Sequence, residues 1–507
     1  MSKRATNKRP GMFRRALGAA IANFAGWLGA YNSTDPRRKI LEHLKVQKAT
    51  SNQTLGYNLP TLVNQCRHLE RNCPSARSIV EGLVADIVGT GIDVAPDTGS
   101  IPRDDKIRAA WLEWAECAGV GGESLWELQA QALREITVAG SFLWRLVILP
   151  ERVAEGHIPL AILPLEVEWL SAIEVAPCSP GSVFVNGVEM DKVGRPIAYH
   201  LADPNNVSNV GHVAQGERVL AKNIVHGFER RRPFQSQGEP ILAPLIERLQ
   251  QEEDLVRIEL QSARIAANFA IAIQSEYHED SIEDTAVEPQ SVVDISPGTV
   301  TRLFPGEEAQ VIQSSRPNQL IEAFRKMLRG DIAAAARCAR KWLDRDYSSA
   351  TFMNTRMEQL DSKRMHKPTQ NWLGRHIATR PYLEALPWIL LKLGQPMPSE
   401  ATMRKKVSAH KIMPDLPEYV DPLKDGEAAI QNIGGNLSTL EEECSSRGKD
   451  WQKIIEQRKK EKEALKAAGL DDADVLNGTK PAEGKPSEKA PAEKKPMKKQ
   501  EESKADD

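Results

Sequence analysis

The sequence predicts an α+β fold, predominantly α-helical, and three observations predict it. Apolar residues recur at helical spacing over most of the chain between residues 58 and 468. One interval, 158–228, switches to short β-rich runs separated by Pro, Gly and Asn turns. Two long helical stretches then flank a small strand-and-turn island at about 275–316. With 507 residues and 41% hydrophobic content the chain can bury a sizeable core in two to four domains.

The elements follow in order. An N-terminal arm to about residue 57 carries Lys3, Arg4, Lys8, Arg9, Arg14 and Arg15 before an uncharged stretch, Ala16 to Tyr31. A basic region followed by apolar residues is also how a signal peptide begins. Here Leu17, Ile21, Phe24 and Leu28 step by three and four, which suits an amphipathic docking helix, and the stretch is shorter than the ~20 residues of a membrane span. A first helix is expected with Asn58 as cap, Pro60 near its start and Pro74 ending it. Ser75 is expected to cap a second, running to Gly89. A third covers about 103–118. A fourth starts at Ser124 with Glu127 at capping-box spacing and yields to a strand at Phe142–Leu149. The runs Leu160–Leu163, Ser182–Val185, Pro196–Leu201 and Val219–Phe228 predict a small antiparallel sheet. Helix is then expected at Leu245 to Ile273, at Gln319–Leu343 and at Ala350–Ile377, with a break at Asp344–Ser349. The first of these would be a rod of about 40 Å. A Pro-punctuated helical region (380–425) and two further helices (426–444, 450–468) precede a Lys/Glu/Pro/Ala tail whose composition predicts disorder.

The chemistry of the sequence is sparse. It has 67 Lys and Arg against 69 Asp and Glu, so it is no general polycation and any nucleic-acid contact must use local charge. Six cysteines without a C-x-x-C pair fit a reduced, intracellularly folded chain rather than a disulfide framework or a Cys-rich zinc site. No P-loop, H-E-x-x-H or nucleophile elbow is present, so neither catalytic residues, cofactor nor metal are expected. Gly89-Thr90-Gly91 follows a helix and reads as a cap and turn. Glu252-Glu253-Asp254 occupies adjacent helical positions that cannot converge on one metal, so it reads as a solvated or intersubunit face.

Local charge is more telling. From Arg325 to Arg380 the basic residues are Arg325, Lys326, Arg329, Arg337, Arg340, Lys341, Arg345, Arg356, Lys363, Arg364, Lys367, Arg375 and Arg380. Only Asp331, Asp344, Asp346, Glu358 and Asp361 oppose them. Such helices could touch phosphates without reading bases, or could be ordinary salt-bridged faces.

A series of motifs runs in order along the chain. The first is Arg71-Asn72-Cys73-Pro74-Ser75-Ala76-Arg77, continuing through Gly82 to Val88-Gly89-Thr90-Gly91-Ile92. Ile224-Val225-His226, then Arg230–Glu239 and Ala243-Pro244-Leu245, come next. Leu303-Phe304-Pro305-Gly306-Glu307-Glu308, Asp346-Tyr347-Ser348-Ser349-Ala350, Val420-Asp421-Pro422-Leu423-Lys424-Asp425 and Ser446-Arg447-Gly448-Lys449-Asp450 follow. The first is similar to the N-terminal signature of the lambda-type portal proteins of tailed bacteriophages, and the order of the rest resembles that family's. The resemblance covers about residues 20–470. Asp425 stands where the family more often has Glu, and the tail is not explained.

The resemblance implies a homo-oligomeric ring, commonly a dodecamer, at the vertex of a phage head: in the virion, and in the host cytoplasm during assembly. The implied subunit has a flexible basic arm (1–57), a wing (58–243) and a stem helix (244–274). A clip follows (275–316), then a second stem helix with the tunnel loop (317–349). A tunnel helix with wing and crown base (350–425), a helical crown (426–470) and the tail (471–507) complete it. Implied partners are double-stranded DNA without sequence specificity, the terminase large subunit, major capsid and scaffold proteins, and head-completion and tail connector proteins. No membrane is among them. Arg345, Tyr347 and Ser348 are the expected DNA-facing loop residues, with Lys341, Arg356 and Lys363 as further candidates. Phe304, Pro305, Gly306, Glu307 and Glu308 are the expected clip contacts for motor and connector. A DNA-processing packaging enzyme (nuclease or ATPase) and a monomeric capsid scaffold or adaptor are the competing readings.

Overall fold

The computed structural model describes residues 49–202, 216–267, 271–275, 307–311, 321–346, 348, 351–414, 422–445 and 451–467. The expectations for residues 1–48 of the N-terminal arm, the C-terminal tail, Phe304, Pro305, Gly306 and Tyr347 lie outside them; the last stretch of the expected arm, from Ser51, is helix instead.

The first half is a helix-and-sheet body. Helix α1 (Ser51–Asn72) begins seven residues before the expected Asn58, because Thr50 and Gln53 form a reciprocal capping box; Pro60 lies inside the helix. Helix α2 (Pro74–Ile87) has Cys73 as its N-cap residue and Pro74 at its first turn, where the missing N–H costs nothing. Ser75 therefore does not cap it. After β1 (Asp93–Pro96) come α3 (Ile101–Ala115) and α4 (Leu125–Ala139), the latter capped by Ser124 and Glu127. Gly140, with φ +86°, turns the chain into β2 (Ser141–Ile148).

After the short α5 (Glu151–Ala154) the β-rich interval makes two sheets rather than one. Strand β2 is central to an antiparallel trio with β3 (Leu160–Leu165) and β8 (Ile224–Phe228). The second sheet runs β4 (Val183–Val185), β5 (Val188–Met190), β6 (Pro196–Ala202), β7 (Gly216–Leu220). The run Val219–Phe228, expected as one strand, is cut by a 3-10 turn at Ala221–Asn223, and the chain changes sheets there.

The core is mostly apolar. Trp111 and Trp114 are fully buried with ring centroids 5.0 Å apart, and Tyr382 meets Trp111 edge-on at 5.3 Å. Trp114 Nε1 donates to the Leu160 carbonyl at 2.8 Å. Buried Gln129 pairs its amide with both the N–H and the C=O of Ile92, so neither is left unpaired; the buried Tyr382 hydroxyl, by contrast, has no partner among the described residues.

Beyond β8 the chain is helical, with corrections to the expected rods. Helix α6 (Ile246–Ala267) does not run to Ile273: β9 (Ile271–Ser275) pairs antiparallel with β10 (Glu307–Val311). The β-branched Ile271 and Ile273 gain a ladder partner there that a free helix end could not offer. Helix α7 (Ile321–Ala336) stops at Arg337, seven residues before the expected break, and a single turn, α8 (Lys341–Asp344), follows. Helix α9 (Phe352–Gly374) passes through a π-helical turn (Arg375–Thr379) into α10 (Arg380–Lys392). Helix α11 (Ala401–Val407) leads to β11 (His410–Met413), which pairs with β1. Among the described residues the C-terminal region has three helices where two were expected: α12 (Pro422–Gly434), α13 (Leu440–Ser445) and α14 (Trp451–Ala467). Among the described residues no helix is long and apolar enough to cross a membrane.

Candidate functional site

The described residues between Arg337 and Thr351 form an elbow between α7 and α9, and they include four of the thirteen basic residues named above: Arg337, Arg340, Lys341 and Arg345. Two arginines in the left-handed region bracket α8: Arg337 with φ +57° and Arg345 with φ +46°. Such angles cost a side-chain-bearing residue about 1 kcal/mol or more, so neighbouring contacts must hold them.

Those contacts come from α2 and α9. Gly82 faces Trp342 so closely that a Cβ there would stand 2.9 Å from the indole Cγ. Trp342 Nε1 donates to Asp86 Oδ2 at 3.0 Å, and Ser78 Oγ donates to the Trp342 carbonyl. From α9, buried His366 donates Nε2–H to the Arg337 carbonyl at 2.7 Å, since a carbonyl can only accept. Glu358 accepts from the Lys341 backbone N–H at 3.4 Å. The elbow is thus clamped between two helices far apart in sequence.

A buried charge relay ties α6 to the same place. Glu252 accepts from Arg329 Nε at 2.7 Å, Arg325 Nε at 3.2 Å and Ser75 Oγ at 2.8 Å. Arg329 then reaches Asp344 Oδ1 at 3.1 Å and the Leu343 carbonyl at 3.2 Å, while Arg340 holds the other Asp344 oxygen at 2.6 Å. Burial alone would raise the Glu252 pKa, but hydrogen bonds from Arg329 and Ser75 outweigh it and keep the carboxyl below its ordinary value. The expectation of a solvated or intersubunit face for Glu252 is corrected here: its residue is 3% exposed. The two arginines on α7 make burial of that carboxylate tolerable.

This pairing sorts the basic residues. Arg325, Lys326, Arg329, Arg337 and Arg340 all hold ion pairs, with Glu252, Glu322 and Asp346, Glu252 and Asp344, Glu229, and Asp344 respectively. Arg356 is paired with Asp425 at 3.1 Å, which ties α12 to α9. Arg345 is exposed and holds no ion pair among the described residues; its guanidinium lies 5.6 Å from the Trp342 ring centroid. Lys341 is half-exposed and Lys363 exposed. Asp346 closes a turn by accepting from the Ser348 N–H at 3.0 Å and its hydroxyl at 2.6 Å. With Lys326 added, these bonds lower the Asp346 pKa to about 2. Of the expected clip residues, Glu307 and Glu308 lie on β10, opposite Ser275 and Gln274.

Of the expected loop residues, the structure therefore brings Lys341, Arg345 and Ser348 into one elbow, while Lys363 stands apart on α9. Sequence reasoning missed Trp342 and Asp86, and named Glu252 and Arg329 without pairing them. Glu252 and Arg329 are 77 residues apart, and no local spacing signals such a pair. Gly82 did carry a signal, since a glycine inside a good helix marks a close approach.

One cluster has the composition of a metal site: Cys178, Glu189 and His200. The donors do not fit. The Val175 N–H donates to His200 Nδ1 at 3.2 Å, which leaves the proton on Nε2, the nitrogen a metal would need; a metal-bound imidazole donates from its other nitrogen instead. Glu189 is already engaged by Arg218 at 2.7 Å, Ser182 Oγ at 2.8 Å and the Ser179 N–H at 2.7 Å. It is a buried structural network.

The sequence model of the phage portal protein, lambda family, matches residues 37–370, from before α1 to the buried Gln370 of α9. The chain belongs to that family. The matched region contains the elbow, the Gly82 contact and the Glu252 relay; Asp425, the partner of Arg356, lies beyond it. Among curated relatives, the portal protein of Escherichia phage N15 is 23% identical over 318 residues, 56% of this chain and 59% of that protein. Portal protein B of Escherichia phage lambda is 22% identical over 317 residues, with the same shares. The aligned part thus spans about three-fifths of these relatives' length. Among solved structures, the neck of a native gene transfer agent particle computed with C12 symmetry has a TM-score of 0.42 at 12% identity, covering 76% of this chain and 92% of that one. An HK97-family phage portal protein from Corynebacterium diphtheriae has a TM-score of 0.30 at 14% identity, covering 62% and 85%.

Proposed function

We propose that this portal-family chain assembles into a ring, a dodecamer, at the vertex of a phage head, and that double-stranded DNA passes through it during packaging and ejection. The observation that carries this reading is the family match over residues 37–370. The subunit conducts DNA and is not itself an enzyme. ATP hydrolysis belongs to the terminase, whose large subunit docks, like the head-completion and tail connector proteins, on the clip around Phe304, Pro305, Gly306, Glu307 and Glu308. Capsid and scaffold proteins contact the ring from the head side, in the host cytoplasm during assembly and in the virion afterwards.

The proposed subunit plan keeps α6 and α7 as the stem, the β9–β10 ladder as the base of the clip, and the elbow as the tunnel loop. A ring repeats each residue once per subunit, so one exposed Arg345 becomes a circle of positive charge. Sliding DNA requires contacts that are individually weak and independent of base, which Arg and Lys on phosphates supply. Arg345 suits that role because the charges of Arg329, Arg337 and Arg340 are already neutralised while its own is not, within the described residues. Tyr347, Ser348, Lys341 and Lys363 are the accompanying contacts. Arg356, engaged by Asp425, serves as a strut.

The test pairs Arg345→Ala with Lys341→Ala in one chain. Rings seen by particle imaging should be unchanged, while DNA retained in filled heads falls several-fold and the loss deepens with salt. Unchanged packaging and retention would overturn the loop assignment. Wild-type particles without a central opening would overturn the ring.

A further inference from the structure

Two helices carry outward stripes that, among the described residues, no other element covers; the polar contacts of these stripes are local to α6, where Asp254 pairs with Arg257 and Gln251 bonds to Glu247 and Arg248. On α9, which packs its inner side against α2, Met353, Met357, Leu360, Arg364 and Lys367 fall at steps of i, i+4, i+7, i+11 and i+14 and are all exposed. Met353, Met357 and Leu360 are 64%, 61% and 52% exposed, too much apolar surface for a helix that meets only water. On α6, which packs its inner side against α7 and α1, Glu247, Gln251, Asp254 and Ile258 follow the same steps and are also exposed; Ile258 is 53% exposed.

The two stripes are ordered in opposite senses. Along α9 the apolar residues come first and the basic ones last; along α6 the acidic residues come first and the apolar one last. Laid antiparallel, Ile258 faces Met357 and Glu247 faces Lys367, with Asp254 within one turn of Arg364. At 1.5 Å per residue the spans match, about 15 Å from Met357 to Lys367 and about 16 Å from Ile258 to Glu247. Neither stripe fits itself: two α9 stripes laid antiparallel would set Met353 against Lys367, and two α6 stripes Ile258 against Glu247.

We infer that the outward stripe of α9 docks antiparallel on the outward stripe of α6 of a second copy of this chain. The contact is heterologous, joining two different faces, and such a contact propagates from copy to copy until a ring closes. This inference rests on the ring proposed above and names the surface that would close it.

Charge reversal separates the possibilities. R364E/K367E on α9 places acid against acid, and E247K/D254K on α6 places base against base. Each variant alone should lose rings by about tenfold or more, since facing like charges across a contact are costly. Mixed one to one, the two should reassemble, because every α9–α6 contact in an alternating ring again joins opposite charges. The chain carrying all four substitutions should also form rings, which separates lost complementarity from lost folding. Native mass and particle imaging read all four samples. Wild-type levels of rings in either single-face variant would overturn the interface, as would failure of both the mixture and the four-substitution chain to reassemble. Rings that form normally with R364E/K367E but retain less DNA would assign the α9 stripe to DNA and overturn it equally. If the wild type forms no ring, the ring reading itself fails, a result distinct from these.

Discussion

The helix-and-sheet body and the elbow region solve burial differently. In the body, Trp111, Trp114 and Tyr382 pack ring on ring, and Gln129 and Trp114 Nε1 find fixed backbone partners, while the Tyr382 hydroxyl is buried without one among the described residues. Around the elbow, a carboxylate is buried between arginines, two residues hold left-handed angles, and large apolar side chains face outward. The first arrangement is complete within one chain. The second is built for orientation, since ion pairs are directional where apolar packing is not. It also leaves surface for something else to cover.

That contrast can be broken experimentally, beginning with its largest effect. Trp114→Ala should cost about 4 kcal/mol, because it opens a cavity in a fully buried core; thermal or denaturant unfolding measures it. If the cost were small, the body would not be the self-sufficient half. Arg329→Met should cost somewhat less, about 3 kcal/mol, by leaving Glu252 buried with less compensation. Adding Glu252→Gln should recover part of that loss, whereas Glu252→Gln in a core governed by apolar contact alone would be nearly neutral. The effect of pH is smaller per step. Burial, with Arg230 and His376 nearby, lowers the His226 pKa to about 3 from 6.5. The folded chain thus keeps this ring neutral where the unfolded chain would protonate it. His226 therefore favours the fold fully above pH 6.5, and the benefit is lost as pH falls from 6.5 toward 3. Unfolding in that window should take up one proton more than in His226→Leu, measured from the pH dependence of the denaturation midpoint.

Much of the helical plan was legible in the sequence. Ser124 with Glu127 marked a helix start, Pro74 marked a boundary, and alternating runs marked β structure between 158 and 228. What failed was local evidence with two physical answers. Asn58 and Thr50 are both acceptable caps, and the reciprocal bond from Gln53 decided between them. Ser75 was an equally good cap whose hydroxyl was recruited by Glu252 on another helix. The helix expected to reach Ile273 ended where a strand partner became available. For the candidate site, the concentration of charge was visible, but not which charges were already matched.

The sequence by itself determined where helices and strands can form, because caps, periodicity and turn residues act within a few positions of one another. It also settled membership of the portal family, since the family's sequence model matches residues 37–370. Only the tertiary structure decided that Glu252 is buried, that Trp342 seats on Gly82, and that Arg345 keeps an exposed charge while Arg337 and Arg340 are paired. The reason is distance along the chain. Those contacts join residues tens to hundreds of positions apart, and their energies depend on desolvation that exists only after the helices have packed.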